Sequence, residues 1–527
     1  MDVWSWICEL PTSVEWTESD SPPMKFDLAS EKNDDNSTRS IHLKAERTSG
    51  SDSEAAVTFT VCLQGFHPHN AHKPLWVSEK CHLSSEKPFL PLLLQLLQEI
   101  ISHSPMAHDS TCPRSQLQKL KPDPIAWIMD SHTPESLSTF FNLVFTMRLF
   151  WLCACHAPPE AGSLYFHSLL SPVLQTASSK LASSVLRTFF ITVGVDTELC
   201  FMRTLGYIIT KLHMIKELNV GLLGLKTLLP SPKFSYANEA HGLWILKGYA
   251  PVMTMKLART NTVQKTQFSG IDAKESILRY SLAHHQLEAH VQLDYTVGFY
   301  DGFIQVRACV DNIRLHVARL GFSQNEDVDE FVEEKHFPSR VRVWVGPEIG
   351  STYCAGLSLG RSTENKECKV ETKRIVEGNF EKSQGSNVKA LAKSSRRTRS
   401  RSWRMDQDAE GNAAIFDVVL HDNSTGQEVG SWRPTGDDPV HGLRGRYVRA
   451  NRAFNKSGSV VIAGDEYGEE VGWRLSKEME GSVLKWRIGG EFWVSYLPNQ
   501  AKGSYFETRY MEWCDEVDLP LFHGKTT

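Results

Sequence analysis

Near residue 242 the hydrophobic pattern changes period, and that change limits the folds open to this chain. Between residues 88 and 230 apolar residues recur at helical spacing, as in LPLLLQLLQEIIS at 90–102. The stretch 131–155 opens with Thr133-Pro134-Glu135, a threonine cap followed by proline at the first helical position. Residues 178–190 and 198–218 keep the same period, and prolines between 91 and 232 divide the region into short helices. From Gly242 the period is two. Leu287, Ala289, Val291, Leu293 and Tyr295 fall on one face of a strand, and Glu288, His290, Gln292 and Asp294 fall on the other. Residues 298–302 read as a hairpin turn built on Asp301-Gly302. Further strands are expected at 303–310, 313–320, 340–345, 414–420, 471–475, 483–488 and 491–497. In the strand at 340–345, Arg340, Arg342 and Trp344 point outward.

A helical period followed by an alternating one predicts an α+β protein, with a helical subdomain packed on a large antiparallel sheet or sandwich. At 527 residues the chain is too long for one core, since single cores stop growing near ~250–300 residues. The expected divisions are five. An N-terminal segment, 1–84, has a polar linker at 29–54 and a strand at 55–64. The helical subdomain covers 85–235, and an antiparallel region 236–360. A polar, basic and mobile insertion follows at 361–402. A Trp-rich β region, 403–527, continues the same sheet or sandwich.

The net charge of −5 argues against a partner that reads global charge, so any anion must be held by a local patch. Eleven cysteines, odd in number and without framework spacing, suit free thiols in a reducing compartment. The opening MDVWSWICELP has neither a basic stretch nor a long apolar run, and is expected not to act as a secretory signal. The most apolar window, 140–155, contains Asn142 and Arg148 and falls short of the ~20 residues a spanning helix needs. The expectation is a cytoplasmic chain without a transmembrane segment.

Four constellations resemble chemical sites. Gly356-Leu357-Ser358-Leu359-Gly360 matches a nucleophile elbow, and Asp422 or Asp437 with His441 would complete a serine hydrolase triad. The residues after it do not read as the apolar helix an elbow requires, so a glycine-flanked strand is the plainer reading. His67, His69 and His72 with Cys81 offer zinc-type ligands at a spacing that matches no standard zinc signature. Cys153 and Cys155 end the most apolar helix and read as buried thiols. Asp406, Asp408 and Glu410 with Asp417 imitate a calcium loop, but the apolar continuation AAIFDVVL makes this a hairpin. No cofactor motif is present, and there is no strong nucleic-acid signal.

Two charged features remain. Arg396, Arg397, Arg399 and Arg401 interleave with Ser394, Ser395, Thr398, Ser400 and Ser402. This segment reads as a solvated loop, as a phosphorylatable regulatory segment, as a patch for anionic lipid or nucleic acid, or as a nuclear import signal. The stretch 400–518 holds six of the chain's 14 tryptophans, and four of the six are followed by arginine: Trp403-Arg404, Trp432-Arg433, Trp473-Arg474 and Trp486-Arg487. A buried Trp on a strand sends the next residue outward. Were these strands in one sheet, Arg404, Arg433, Arg474, Lys485 and Arg487 would share an anion-binding face. The alternative is neutralisation by Glu470, Glu478, Glu480 or Glu491.

The runs EYGEEVGWRLSKEMEGSVLKWRIGGEFWVSYLPN (466–499) and YMEWCDEVDLPLF (510–522) resemble an uncharacterised land-plant protein family of about this length, with no assigned activity. The resemblance implies a plant source and nothing catalytic. The expected function is an intracellular, non-enzymatic binding or scaffold protein. It would act on a protein or on an anionic lipid headgroup through the basic sheet face, peripheral to a membrane. The rivals are a serine hydrolase using Ser358 and a zinc-stabilised interaction domain.

Overall fold

The computed structural model describes residues 2–11, 23–32, 38–49, 55–66, 74–107, 119–177, 180–217, 234–253, 284–321, 335–381, 387–400, 402–421, 460–464, 469–497 and 507–522. The protein is α+β, with large antiparallel sheets and several helices. It divides into two units: 1–232 with 251–286 and 319–330, and 233–250 with 287–318 and 331–527.

The first unit begins with α1 (Val3–Cys8), followed by β1 (Met24–Lys32), β2 (Thr38–Ser49), β3 (Ala55–Gln64), β4 (Trp76–Val77) and β5 (Cys81–His82). These five strands form one antiparallel sheet in which β4 and β5 both pair with β3. Part of this corrects the sequence reading: residues 29–54, expected as a linker, contribute to β1 and β2. Ile41, Leu43 and Ala45 are buried at alternate positions of β2, among Lys44, Glu46 and Arg47. Ser40 and His42 are buried beside them as polar residues, so the strand carries few apolar positions and resembled a polar loop.

Then come α2 (Leu90–Ser102), β6 (Met106–Ala107), α3 (Pro122–Ser131), α4 (Pro134–Trp151), α5 (Pro159–Leu164), α6 (Ser171–Ala177), α7 (Lys180–Val193) and α8 (Val195–Glu217). Helix α4 is the hub, packing on α1, α2, α6 and α7. Its cap is as expected: the Ser136 N–H donates to Thr133 Oγ1 at 3.4 Å, with Pro134 at the first position. The two polar interruptions of its apolar run each have a partner. Asn142 Oδ1 accepts from the Val3 N–H at 3.1 Å, and Arg148 is ion-paired with Glu99 of α2. The N-terminal tryptophans are core anchors. Trp4 lies 4.8 Å from the Phe141 ring, and Trp6 lies 5.3 Å from Phe26. No described helix is long and apolar enough to cross a membrane.

The second unit is built from β7 (Phe234–Ala240), β8 (Leu243–Met253), β9 (His284–Phe299), β10 (Phe303–Gly321), β11 (Lys335–Pro347), β12 (Cys354–Ser358), β13 (Thr363–Glu364), β14 (Cys368–Glu381), β15 (Asn387–Ser400), β16 (Trp403–Glu410), β17 (Ala413–Leu420), β18 (Val460–Ala463), β19 (Val471–Ser476), β20 (Val483–Leu497) and β21 (Glu507–Pro520), apart from the last three residues of β8 and β10 and the first three of β9, which belong to the first unit. One sheet runs β12-β19-β10-β9-β8-β7, with β18 also on β10, and a second runs β13-β16-β17-β11-β20-β21. β14 and β15 pair only with each other among the described strands. The strands expected at 303–310 and 313–320 are the single strand β10, and those at 483–488 and 491–497 are the single strand β20.

The two sheets meet face to face through aromatic rings. Trp473 of β19 and Trp486 of β20 cross at 86° with centroids 4.6 Å apart. Trp244 of β8 lies 5.2 Å from Trp486 and stacks on Tyr295 of β9 at 4.4 Å. Leu287, Ala289, Val291 and Leu293 are all buried, as the alternation predicts. The unit is therefore a β-sandwich whose inner faces interdigitate.

Candidate functional site

The sandwich separates the arginines that the sequence placed together. Trp473 belongs to one sheet and Trp486 to the other, and the two rings meet between the sheets. The residue after each Trp therefore points away from the core, on opposite sides of the sandwich. Arg474 lies on the outer face of the first sheet, whereas Arg404, Lys485 and Arg487 belong to strands of the second. Even there, β16 and β20 are separated by β17 and β11. Arg433 falls outside the described residues. The shared basic face of the sequence argument is not assembled, because sheet membership is set by long-range pairing.

Each described member of that set also has a partner. Arg404 Nε bonds Asp406 Oδ1 at 3.1 Å, and Lys485 is paired with Asp518. The Arg487 guanidinium lies over the Trp344 ring at 5.0 Å, and that of Arg474 over Phe303 at 4.0 Å. Three of the four glutamates expected to neutralise them have other partners. Glu470 pairs with Arg307 at 3.1 Å, and Glu480 with Lys477 at 2.9 Å. Glu491 accepts from Arg342 at 3.4 Å and from the Tyr510 hydroxyl at 2.9 Å. Burial, followed by that carboxylate, pushes the Tyr510 hydroxyl up to about 12.

The charges on the outer face of the second sheet instead form a lattice centred on Asp417, in the middle of β17. Arg340 grips its carboxylate with two nitrogens, Nε at 2.8 Å, and Arg342 reaches the same group at 3.4 Å. Register explains this: Arg342 lies directly opposite both Asp417 and Glu491. Trp344 lies opposite Gly489, where a Cβ would come within 2.0 Å of the indole. The alternation of residues 340–345 placed Arg340, Arg342 and Trp344 outward. Their partner was hidden as a lone Asp in the apolar run AAIFDVVL.

Ser358 sits at the end of β12, an edge strand paired antiparallel with β19, and its hydroxyl donates to the Gly472 carbonyl at 3.2 Å. An elbow needs a strand running into a helix. Here the chain continues to the short strand β13. Asp422, Asp437 and His441 lie outside the described residues, as do His67, His69 and His72. Cys81 is fully buried, and burial pushes its thiol up to about 11, which disfavours the thiolate a metal binds. The calcium-like run is the β16–β17 hairpin, turned at Gly411 with φ +62°. Arg396, Arg397 and Arg399 are on β15, and Arg401 is outside the described residues. In the first unit, a cleft of ≈ 460 Å³ lies between Lys119, Lys121 and Pro124 on one side and Gly194, Asp196 and Thr197 on the other.

The feature that sequence reasoning missed is one end of the sandwich, where five connections come together. The Tyr300 N–H closes the β9–β10 turn on the Phe303 carbonyl at 3.0 Å. Phe303 pairs with Ser476, whose N–H donates to the Tyr353 carbonyl of the β11–β12 connection at 2.8 Å. Gly481, in the β19–β20 turn, donates to the Leu521 carbonyl after β21 at 2.8 Å. The Tyr295 N–H bonds the Gly242 carbonyl of the β7–β8 turn at 3.0 Å. At this end Ile349 is 83% exposed, Phe522 55%, Val483 51% and Tyr300 45%. Asp301, Glu348 and Glu478 stand beside them in the same turns. The only local signal for this was apolar residues beside turn-forming Asp-Gly and Gly.

No protein-family model matches the chain. No curated protein matches it. Among solved structures it is similar to Clostridium perfringens delta-toxin, at 10% identity over 54% of this chain and 96% of that one, with a TM-score of 0.21. It is also similar to the Clostridium perfringens NetB toxin in the membrane-inserted form, at 7% identity over 55% of this chain and 95% of that one, with a TM-score of 0.15. Likenesses at these scores fix neither fold nor activity.

Proposed function

We propose that this chain is a non-enzymatic binding protein, a scaffold that docks a protein partner on the turn end of its sandwich. The observation that carries the reading is Ile349, 83% exposed on a tight turn, with Tyr300, Val483 and Phe522 on hydrogen-bonded neighbouring connections. A single exposed apolar residue is ordinary, but several on one rigid end mark an interaction surface. Short turns held by backbone hydrogen bonds lose little freedom on binding, which favours affinity. Asp301, Glu348 and Glu478 lie in the same turns as the apolar tips and call for a partner with an apolar pocket and a basic rim. The free thiols of the eight cysteines whose side chains are described suit an intracellular setting.

The test is affinity purification of the full chain from its native cells, comparing wild type with Ile349→Asp combined with Tyr300→Ala. We expect a co-purifying protein that survives Ser358→Ala and Arg474→Glu but is lost from the turn-end variant, with the thermal melt unchanged. Equal recovery from all forms would sink the reading. Hydrolysis of short-chain esters that disappears in Ser358→Ala would replace it with the hydrolase.

A further inference from the structure

Stacking on an aromatic ring takes up the flat face of a guanidinium and leaves its N–H donors, which lie in the plane, free to bond. Arg474 is in that condition. Its guanidinium lies over the Phe303 ring at 4.0 Å, and Phe303 is stacked on Tyr300 at 4.9 Å, so a short aromatic pile holds the group flat. The residue is exposed and makes no ion pair among the described residues. Arg487, also held over a ring, has Glu516 directly opposite on the next strand. The residues directly opposite Arg474 are Gln305 of β10 and Gly356 of β12, both neutral.

Directly opposite residues share a face. Gln305, Gly356 and Arg474 therefore stand on the outer side of the first sheet, with Gly472 and Ser358 as the neighbouring pair. Gln305 Oε1 accepts from Arg307 Nη2 at 3.3 Å, and Nε2, the other end of the amide, has no acceptor among the described residues. That nitrogen lies over Gly472, 3.6 Å from where a Cβ would stand, and Ser358 Oγ lies 3.0 Å from the same point. A Cβ on Gly356 would meet nothing within 4 Å. The two glycines thus keep the backbone beside these donors bare. Glu470, just before β19, is already paired with Arg307 at 3.1 Å.

We propose that this part of the outer face binds a phosphate monoester, with the Arg474 guanidinium and Gln305 Nε2 as its donors. The number of donors selects the anion. A guanidinium offers two parallel N–H groups and the amide a third, which match the three terminal oxygens of a phosphate monoester. A carboxylate has two oxygens and would leave a donor unmet. The G-x-S-x-G run gains a use that needs no nucleophile: the Ser358 hydroxyl is spent on the Gly472 carbonyl, and Gly356 leaves room beside Arg474. Apart from Tyr300, behind Phe303, the site shares no residue with the turn-end docking surface and does not rest on it.

The test is calorimetric titration of the full chain with glycerol 3-phosphate and with a tetrapeptide phosphorylated on serine, a free and a protein-type form of the same ester. Binding to at least one is expected, weakening as salt is raised, and the tighter of the two identifies the source. Arg474→Gln should weaken it at least about tenfold, since a hydrogen bond to a charged group carries roughly that factor. Gln305→Ala should weaken it less. Gly356→Val, whose Cβ has open space, should weaken binding with the thermal melt unchanged, and Ile349→Asp should leave binding intact. Failure to bind either ester would overturn the proposal. So would acetate binding as tightly as the better ester, or binding that survives both Arg474→Gln and Gly356→Val.

Discussion

The outer face of the second sheet and the β14–β15 ribbon are both rich in arginine, yet they are built to opposite ends. On the sheet, register sets Arg342 against Asp417 and Glu491, and sets Trp344 on a glycine so that Arg487 can cover its ring. On the ribbon, register sets Arg374 and Arg396 against Ser394 and Thr372. Cation counts would rank the two surfaces alike. On the sheet the Arg340 guanidinium is gripped by the Asp417 carboxylate and has little left for a ligand, so that face is read as structure.

The strongest way to break this contrast is at Gly489. Alanine there forces the Trp344 ring to move, and overpacking of this sort typically costs about 1–3 kcal/mol; urea unfolding of Gly489→Ala should show the loss. Next is Asp417→Ala, which strands two arginines. Because those arginines are a third or more exposed, solvent takes up part of the loss, and about 1–2 kcal/mol is expected from the same measurement. Arg487→Ala removes a cation from an aromatic ring at a partly exposed site and should cost no more than about 1 kcal/mol. The smallest effect belongs to the ribbon. Arg374→Glu with Arg396→Glu should shift stability by less than about 0.5 kcal/mol. A ribbon variant that unfolds the protein would reverse the roles of the two surfaces.

A further check concerns the amino terminus. Burial would raise the Asp2 carboxyl, but hydrogen bonds from Ser138 and Ser5 outweigh it and hold the group below its usual value. A depressed carboxylate adds stability above its unfolded pKa and loses it as pH falls through the folded one. The loss for wild type should thus be confined to the acid side of pH ~4, and Asp2→Asn should flatten the stability curve there.

What was legible in the sequence was local. The period change at 242 gave the class, the alternation of 287–295 gave a buried face, and three of the four Trp-Arg pairs, those at 403, 473 and 486, gave an inward and an outward direction. Neighbours were not legible. Nothing near Trp473 says that its strand pairs with β10 and not with β20, and the anion-binding face depended on that choice. The same limit explains Asp417, whose role is set by two arginines of β11, 75 and 77 residues away. β1, β2, β14 and β15 were missed for a different reason: they carry too few apolar residues to stand out from a loop.

The long reach of these pairings bears on how the protein is made. The Ala237 N–H is capped by the Asp515 carboxylate, 278 residues later, and the Trp244 indole bonds the Asp518 carbonyl, 274 residues later. At roughly 5–20 residues per second, a ribosome takes tens of seconds to cover that distance. Throughout that interval β7 to β11 wait with their inner faces wet and their edges open, the state most prone to mispairing. A sandwich closed by its last strand should therefore rely on chaperones during synthesis, and a chain truncated before β21 should aggregate where the complete chain stays in solution.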